Sequence, residues 1–389
     1  MPRRAALASA LLALVVHACE GDHDALKKPE PNGSGGAAGA DAGPPDTSPD
    51  VELDVSPDVF VEPPGPNVLT LLHGVVDASR IAFCFARVVD GSPQAPLGSP
   101  LPPAGLPWGG ALSVTELAGL DWAKDDVLPV VIAGDFSLLG GKTCVEAVAL
   151  AASFVTPEPD AGGDAAATDA SPSDAAEAGD AVADAVTELP PAPKLRSGEL
   201  PVLPAGTLSS GYSLLFAATG CMGGPAFSDP MESWVCGAGY APHKSTLGPV
   251  LVPLSRVTKP GAMGLQVVNA ARASDPVDVV SKHPKGSSIP PIYVAEEVAF
   301  GAVSPRPPLL DYSATGFGAP ITASLLEVSA QNSSSPSHTQ SWKDALDAGG
   351  LSDAKDGKTY ALVLIGPRPN NPAAKWWNGP KLVALPAAP

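Results

Sequence analysis

Few residues in this 389-residue chain could carry chemistry. Metal, redox or nucleophile sites would have to be drawn from five cysteines and six histidines. No CxxC pair occurs and no histidine pair accompanies the four downstream cysteines, so zinc and dithiol spacings are missing. "GGKT" at 140–143 and "DGKT" at 356–359 invite a phosphate-loop reading. That motif needs a glycine five positions ahead of its Gly-Lys-Thr glycine, where the chain has Phe136 and Ser352. Both stretches are expected to run into strands as hairpin turns. No G-x-S-x-G nucleophile elbow is present. The Asp-rich stretch 157–193 lacks the ordered Asp, Gly and closing Glu of a calcium loop. No catalytic residue, metal ligand or cofactor is therefore assigned, and an enzyme would need a constellation assembled by the fold.

Two tryptophans, Trp376 and Trp377 in "NPAAKWWNGPKL", stand out in a chain with 5% aromatic residues. Stacking on a sugar ring, flanked by Asn378 and Lys381, is the functional reading; packing between elements is the alternative. Trp108 in "LPWGG" is read the same way.

Cys84, Cys144, Cys221 and Cys236 form an even set, which in an exported chain suggests two disulfides. Four cysteines allow three connectivities. The Gly/Pro-rich stretch "CMGGPAFSDPMESWVC" favours Cys221–Cys236, leaving Cys84–Cys144 to join two strands.

Charge separates the chain into parts. Residues 20–66 hold eleven acids and two bases, and residues 157–193 hold nine acids and no base. The net charge of −18 thus belongs to these two segments, and the remainder is close to neutral. With no basic patch, phosphate-led binding to nucleic acid is not expected. Both segments are low in complexity and poor in large apolar groups, so ordering them would cost entropy with little burial in return. They read as a disordered tether and a disordered insertion.

The first twenty residues, "MPRRAALASALLALVVHACE", place two arginines before an apolar run too short to span a bilayer. The end of that run, Val16-His17-Ala18-Cys19, resembles the bacterial lipoprotein box: a small residue precedes the cut and the following thiol is acylated. His17 departs from the usual small residue there. The resemblance implies lipidation at Cys19 and a membrane partner through that lipid. Glu20, in place of the Asp that retains lipoproteins at the inner membrane, implies the outer membrane or cell surface. Several acyl chains anchor stably where one does not.

Between these segments lie short apolar, β-branched runs bounded by Gly, Pro, Asn or Asp: "VLPVVIAGDFSLL", "TCVEAVALAASFV", "YSLLFAATG", "GPVLVPLSRV", "IYVAEEVAF", "ASLLEVSA" and "TYALVLIG". Val75, Ile81, Phe83, Phe85 and Val88 mark another strand region. Turns are expected at 125–129 and, as an Asp-Gly hairpin, at 355–358. Helices are expected only at Val114–Ala118 and Trp342–Ala348. The pattern predicts an all-β fold of two β-sandwich (Ig-like) modules. The expected layout is 1–18 signal peptide, 19–66 tether, 67–257 first module with the insertion 157–193, and 258–389 second module.

The chain also repeats itself. "NVLTLLHGVVDASRIAFC" at 67–84 aligns with "GLQVVNAARASDPVDVV" at 264–280, His73 falling on Asn269. A Tyr before an apolar strand ending in Gly recurs at 211–220 and 358–366. Val268, Asn269, Ala270, Val277, Asp278 and Val279 make the second phrase similar to a bacterial surface domain family of unknown function, whose usual opening is V-N-A-S-P-D-A-x-x-V-D-V. In the first copy Asp77 and Ala78 match. The resemblance implies tandem β-sandwiches on envelope proteins and no catalytic residues. Asn269 and His73 are expected to satisfy backbone groups at a bend. The function expected is a non-enzymatic envelope lipoprotein that binds or scaffolds an envelope protein or glycan. A carbohydrate-binding surface protein and an envelope hydrolase are the alternatives.

Overall fold

The computed structural model describes residues 65–154, 194–209, 211, 213–223, 235–237, 244–272, 274–283, 290–314, 320–331, 333, 335–367 and 378–388. The leader with Cys19, the acidic segment 20–66 up to residue 64, the acidic segment 157–193, Trp376 and Trp377 lie outside these residues.

The fold is all-β. Its first half contains β1 (Val68–Val75), β2 (Arg80–Val89), β3 (Ser92–Pro93), β4 (Leu97–Pro107), β5 (Ala111–Val114), β6 (Asp126–Gly134), β7 (Leu195–Glu199), β8 (Ser213–Gly220) and β9 (Gly248–Leu254). The second half contains β10 (Met263–Asn269), β11 (Val277–Lys282), β12 (Ile292–Val298), β13 (Val303–Tyr312), β14 (Leu325–Ala330), β15 (His338–Ser341), β16 (Thr359–Ile365) and β17 (Lys381–Pro386). Among the described residues the α-helices are α1 (Cys144–Ser153) and α2 (Trp342–Ala348).

The two halves share one topology. One sheet of the first half runs β5-β1-β8-β9; its counterpart in the second half runs β13-β10-β16-β17. In each, the opening strand pairs in parallel with a late one, β1 with β8 and β10 with β16, and antiparallel strands flank the pair. The outer sheets are β3-β2-β6-β7, with β4 also on β2, and β12-β11-β14-β15. The parallel registers set His73 opposite Ala218 and Asn269 opposite Leu364, so Gly220 and Gly366 occupy matching strand ends at φ 87° and 110°. In the sequence Tyr212 stands eight residues before Gly220 and Tyr360 six before Gly366, so it is the glycines that repeat.

Each half is a sandwich with its own core. Leu69, Leu71, Phe83, Val131 and Phe216 fill the first; Leu265, Val279, Leu326, Trp342 and Leu362 fill the second. Between them lies a third apolar layer. Leu72, Leu215, Val250 and Val252 of the first half pack against Val268, Val363, Val383 and Leu385 of the second. A Cβ on Gly74 would stand 3.0 Å from Ala218 O and 3.4 Å from Ile365 Cγ2, so a larger residue would crowd this close approach. The two inner sheets are thus covered on both faces, and β1, β8, β10 and β16 are buried along their whole length. The four sheets form a continuous stack within one compact unit.

The ends of the stack differ. Helix α1 lies on the outer face of the first half's outer sheet, packing Ala147 and Ala151 on Cys84, Val130 and Ile132. The second half's outer sheet has no such cover among the described residues, and β11 alternates strictly between buried and half-buried positions.

Several local expectations are corrected. "TCVEAVALAAS" is helical, because Thr143 and Glu146 form a capping box and alanines follow. "GGKT" therefore leads into a helix, not a strand. Val114 ends β5 and no helix follows it. Asp126 opens β6 where a turn was expected, and Val75 closes β1 while Ile81 to Val88 lie on β2. Asp356-Gly357 turns into β16 without joining two strands of a hairpin. Prolines line edge strands β4, β9 and β13. Proline cannot donate to a neighbour, so these edges resist pairing with another chain.

Candidate functional site

Of the residues singled out in the sequence, His73, Asn269, Trp108 and Asn378 lie at or against the bends that close β1 and β10. At the first bend the His73 side chain is fully buried. Its Nδ1 accepts the Val75 N–H at 3.2 Å and its Nε2 faces Ala78 O at 3.0 Å. Trp108 meets the ring edge-on, with centroids 5.4 Å apart. Burial pushes the imidazole down to about 3, with the bond to Ala78 O opposing, so the ring is neutral. At the second bend Asn269 is also fully buried. Its Oδ1 accepts the Ala271 N–H at 3.2 Å, while Nδ2 donates to Val298 O at 3.0 Å and Ser274 Oγ at 2.9 Å. Both side chains accept the N–H two residues on and then tie the bend to a neighbouring segment.

Below the first bend, Asp77 is almost wholly buried. Its carboxylate accepts the Met222 N–H at 2.8 Å and the Gly223 N–H at 3.1 Å, with Arg196 Nη1 at 3.5 Å. Desolvation raises the Asp77 carboxyl above the usual carboxylate value, against the pull of Arg196, and lowers the Arg196 guanidinium. This pair clamps the chain just past Cys221. The family-like opening highlighted Asp77, but nothing in the sequence distinguished Arg196, which enters from β7 more than a hundred residues away.

The cysteines are paired Cys84–Cys144 and Cys221–Cys236. Cys84 lies on β2, but Cys144 opens α1, so that bridge fastens helix to sheet and does not join two strands. The other bridge holds the segment on which Val76 packs.

Asp278 of the family-like phrase also has a structural task. Val277 and Val279 point into the core, and the Asp278 carboxylate accepts the N–H of Glu297 at 2.7 Å. Glu297 has φ 53°, so Asp278 stabilises an irregular point in β12. Asp278, Glu296, Glu297, Gln331 and Ser333 line an open groove of about 360 Å³. It adjoins the outer face of that sheet, where Tyr293 is 62% exposed beside Val280. An apolar recess of about 230 Å³ lies in the first half between Phe85, Leu97, Leu101, Leu117 and Leu120.

A serine and a histidine meet in the second half: Ser324 Oγ lies 3.2 Å from His283 Nδ1. Ser324 is fully buried, and His283 stacks on Tyr312, so the hydroxyl has no access to substrate. Among the described residues no group of three or more His, Cys, Asp or Glu is placed to hold a metal ion. Trp108 is half-buried between the cores. Asn378 donates to Val76 O at 3.0 Å and Ala78 O at 3.1 Å, fastening the second half to the first bend; it serves the junction between sandwiches. No helix among the described residues is long and apolar enough to cross a membrane.

No known family model matches the chain, and no curated protein is significantly similar to it.

Proposed function

We propose that the chain is a non-enzymatic envelope lipoprotein in which acylated Cys19 anchors a rigid binding or scaffolding body at the outer membrane or cell surface. The observation that carries the rigid-body part is the apolar layer shared by the two sandwiches. Two independently tumbling modules would expose those faces; fused, they hold both ends of the stack at fixed separation and orientation. The reading as a binding body, not a catalyst, is supported by how the polar residues are used. His73, Asn269, Asp77, Gln266 and Asp278 each satisfy backbone groups. The lipid anchor and the family likeness rest on the sequence: the apolar leader ending at Cys19, and the phrase around Asn269.

Replacing Cys19 by Ala and fractionating cells tests the anchor: the variant is expected in the soluble fraction and the parent in the membrane fraction. Membrane retention of the variant would overturn lipidation at this residue. Pull-down from native envelopes is expected to recover a protein or glycan partner with no turnover of ester, peptide or glycoside substrates. Turnover abolished by a single side-chain replacement would replace this reading with the hydrolase.

A further inference from the structure

The chain enters the first sandwich at a fixed point, close to the apolar recess. Arg256 donates to Pro66 O, and Asn67 Oδ1 accepts the Gly211 N–H at 2.6 Å, so residues 65–67 are held as β1 begins. Strands β1 and β5 pair antiparallel, with Leu69 opposite Val114. The chain ahead of β1 and the chain after β5 therefore leave the sheet at the same end, from adjacent strands. Beyond β5 come Glu116, Leu117 and Leu120, which line the recess of about 230 Å³ together with Phe85, Leu97 and Leu101. An apolar cavity of about 150 Å³ takes up a benzene ring, so this recess has room for a phenyl side chain. Leu97 is 36% exposed, which leaves the recess accessible from outside.

The sequence just upstream offers one side chain of that kind. Segment 20–66 has a single aromatic residue, Phe60, set between Val59 and Val61. It stands five residues ahead of Gly65, a reach of about 17 Å in extended chain. Pro63, Pro64 and Pro66 restrict the backbone in between, so holding that stretch costs less entropy than holding a free linker. Among the described residues the lining carries one charged group, Glu116, which is itself an acid. The acidic stretches of the tether are thus unsuited to the recess, and the apolar run 59–61 is what fits it.

We propose that Phe60 docks in this recess, making residues 59–64 a strap that fixes where the tether leaves the first sandwich. Burial of a phenyl ring among leucines and against the aromatic ring of Phe85 is the driving force. The docking itself needs no acylation. Its consequence, a set posture of the body above the membrane, rests on the anchored reading given above.

The test is methyl and aromatic NMR on the chain from position 19 onward carrying Cys19→Ala, so that acylation does not enter the readout and a failure of the anchor is scored separately by cell fractionation. Cross-peaks are expected from the Phe60 ring to the methyl groups of Leu101 and Leu117. Phe60→Ala is expected to abolish the ring-current shifts of those methyls and to leave Leu265 and Leu362 of the second core unmoved. Leu97→Glu, at the exposed edge, is expected to release the ring, whose signals then match those of the free hexapeptide 59–64. Phe60 signals that already match the free hexapeptide in the parent, or recess methyls unchanged by Phe60→Ala, would overturn the proposal. Recess shifts that grow with protein concentration would assign the recess to a second copy of the chain and would equally overturn it.

Discussion

The two sandwiches repeat one strand plan but are secured differently. The first contains both disulfides, a helix fastened over its outer sheet, and a buried Asp77–Arg196 pair. The second has no cysteine at all, since Cys236 is the last in the chain. No helix covers its outer sheet among the described residues, and its interior is organised by Trp342, whose Nε1 donates to Ser281 Oγ at 3.0 Å, with Tyr312 Oη 3.2 Å from the same hydroxyl. The difference shows that strand topology leaves the means of stabilisation open. A cross-link limits the unfolded chain, whereas a large buried aromatic stabilises the folded one.

Reduction should break the comparison most strongly. In the chain-entropy view, closing a separation of 60 residues by Cys84–Cys144 contributes about 4 kcal/mol, and the 15-residue separation of Cys221–Cys236 about 3 kcal/mol. Denaturant unfolding with and without reductant, followed by hydrogen exchange, is expected to place the lost protection in β1–β9. An equal loss across β10–β17 would show that the shared layer makes the stack a single cooperative unit. Trp342→Ala is the reciprocal perturbation. It removes a fully buried side chain and leaves Ser281 without its indole donor, at a cost of about 3–5 kcal/mol. The loss is expected in β10–β17, under reducing and oxidising conditions alike.

A smaller effect separates what each copy does at one shared position. Gln266 and Thr70 correspond in the repeat. Gln266 reaches across to Ser255, accepting its N–H and donating to its C=O at 3.2 Å each, whereas Thr70 pairs with Ser113 inside its own sheet at 2.9 Å. Gln266→Ala removes both of these buried hydrogen bonds at once and should cost about 1–3 kcal/mol in a denaturant melt, against about 1 kcal/mol for Thr70→Val. Equal costs would mean that the junction gains nothing from Gln266.

How much of this was legible in the sequence depended on distance along the chain. The strands, the repeat and the acceptor role of Asn269 could be read because alternation, turn residues and Asx geometry are local. The helix at Cys144 reads as a strand although its capping box is also local, because "VEAVALAA" has the apolar run of a buried strand. The fused stack could not be read. When a sheet is covered on both faces its strands lose their alternation, and "SLLFAATG" or "TYALVLI" then looks the same for a lone buried sheet as for one shared between sandwiches. Arg196 carried no local signal, since what makes it notable is its contact with Asp77, far away along the chain.

Exchanging the bend residues isolates the effect of their chemistry. His73 titrates near 3 in the folded chain and at the ordinary imidazole value, near 6.5, when unfolded. Between those values the unfolded chain binds a proton that the folded chain refuses. The contribution is therefore complete above the unfolded value and declines by about 1.4 kcal/mol per pH unit as acid is added, until the folded ring itself protonates. Asn269 performs the matching task without titrating. His73→Asn should accordingly flatten the acid limb of stability against pH between about 6.5 and 3, at some loss of neutral-pH stability as the edge contact with Trp108 disappears. Asp77 acts in the opposite sense, its raised carboxyl favouring the folded chain as pH falls through the carboxylate range. The informative quantity is thus the difference between parent and variant at each pH, in which Asp77 and the half-buried His338 cancel. A difference that stays constant from pH 7 to pH 4 would mean that the folded bend accepts the proton, and that burial of His73 does not hold its ring neutral.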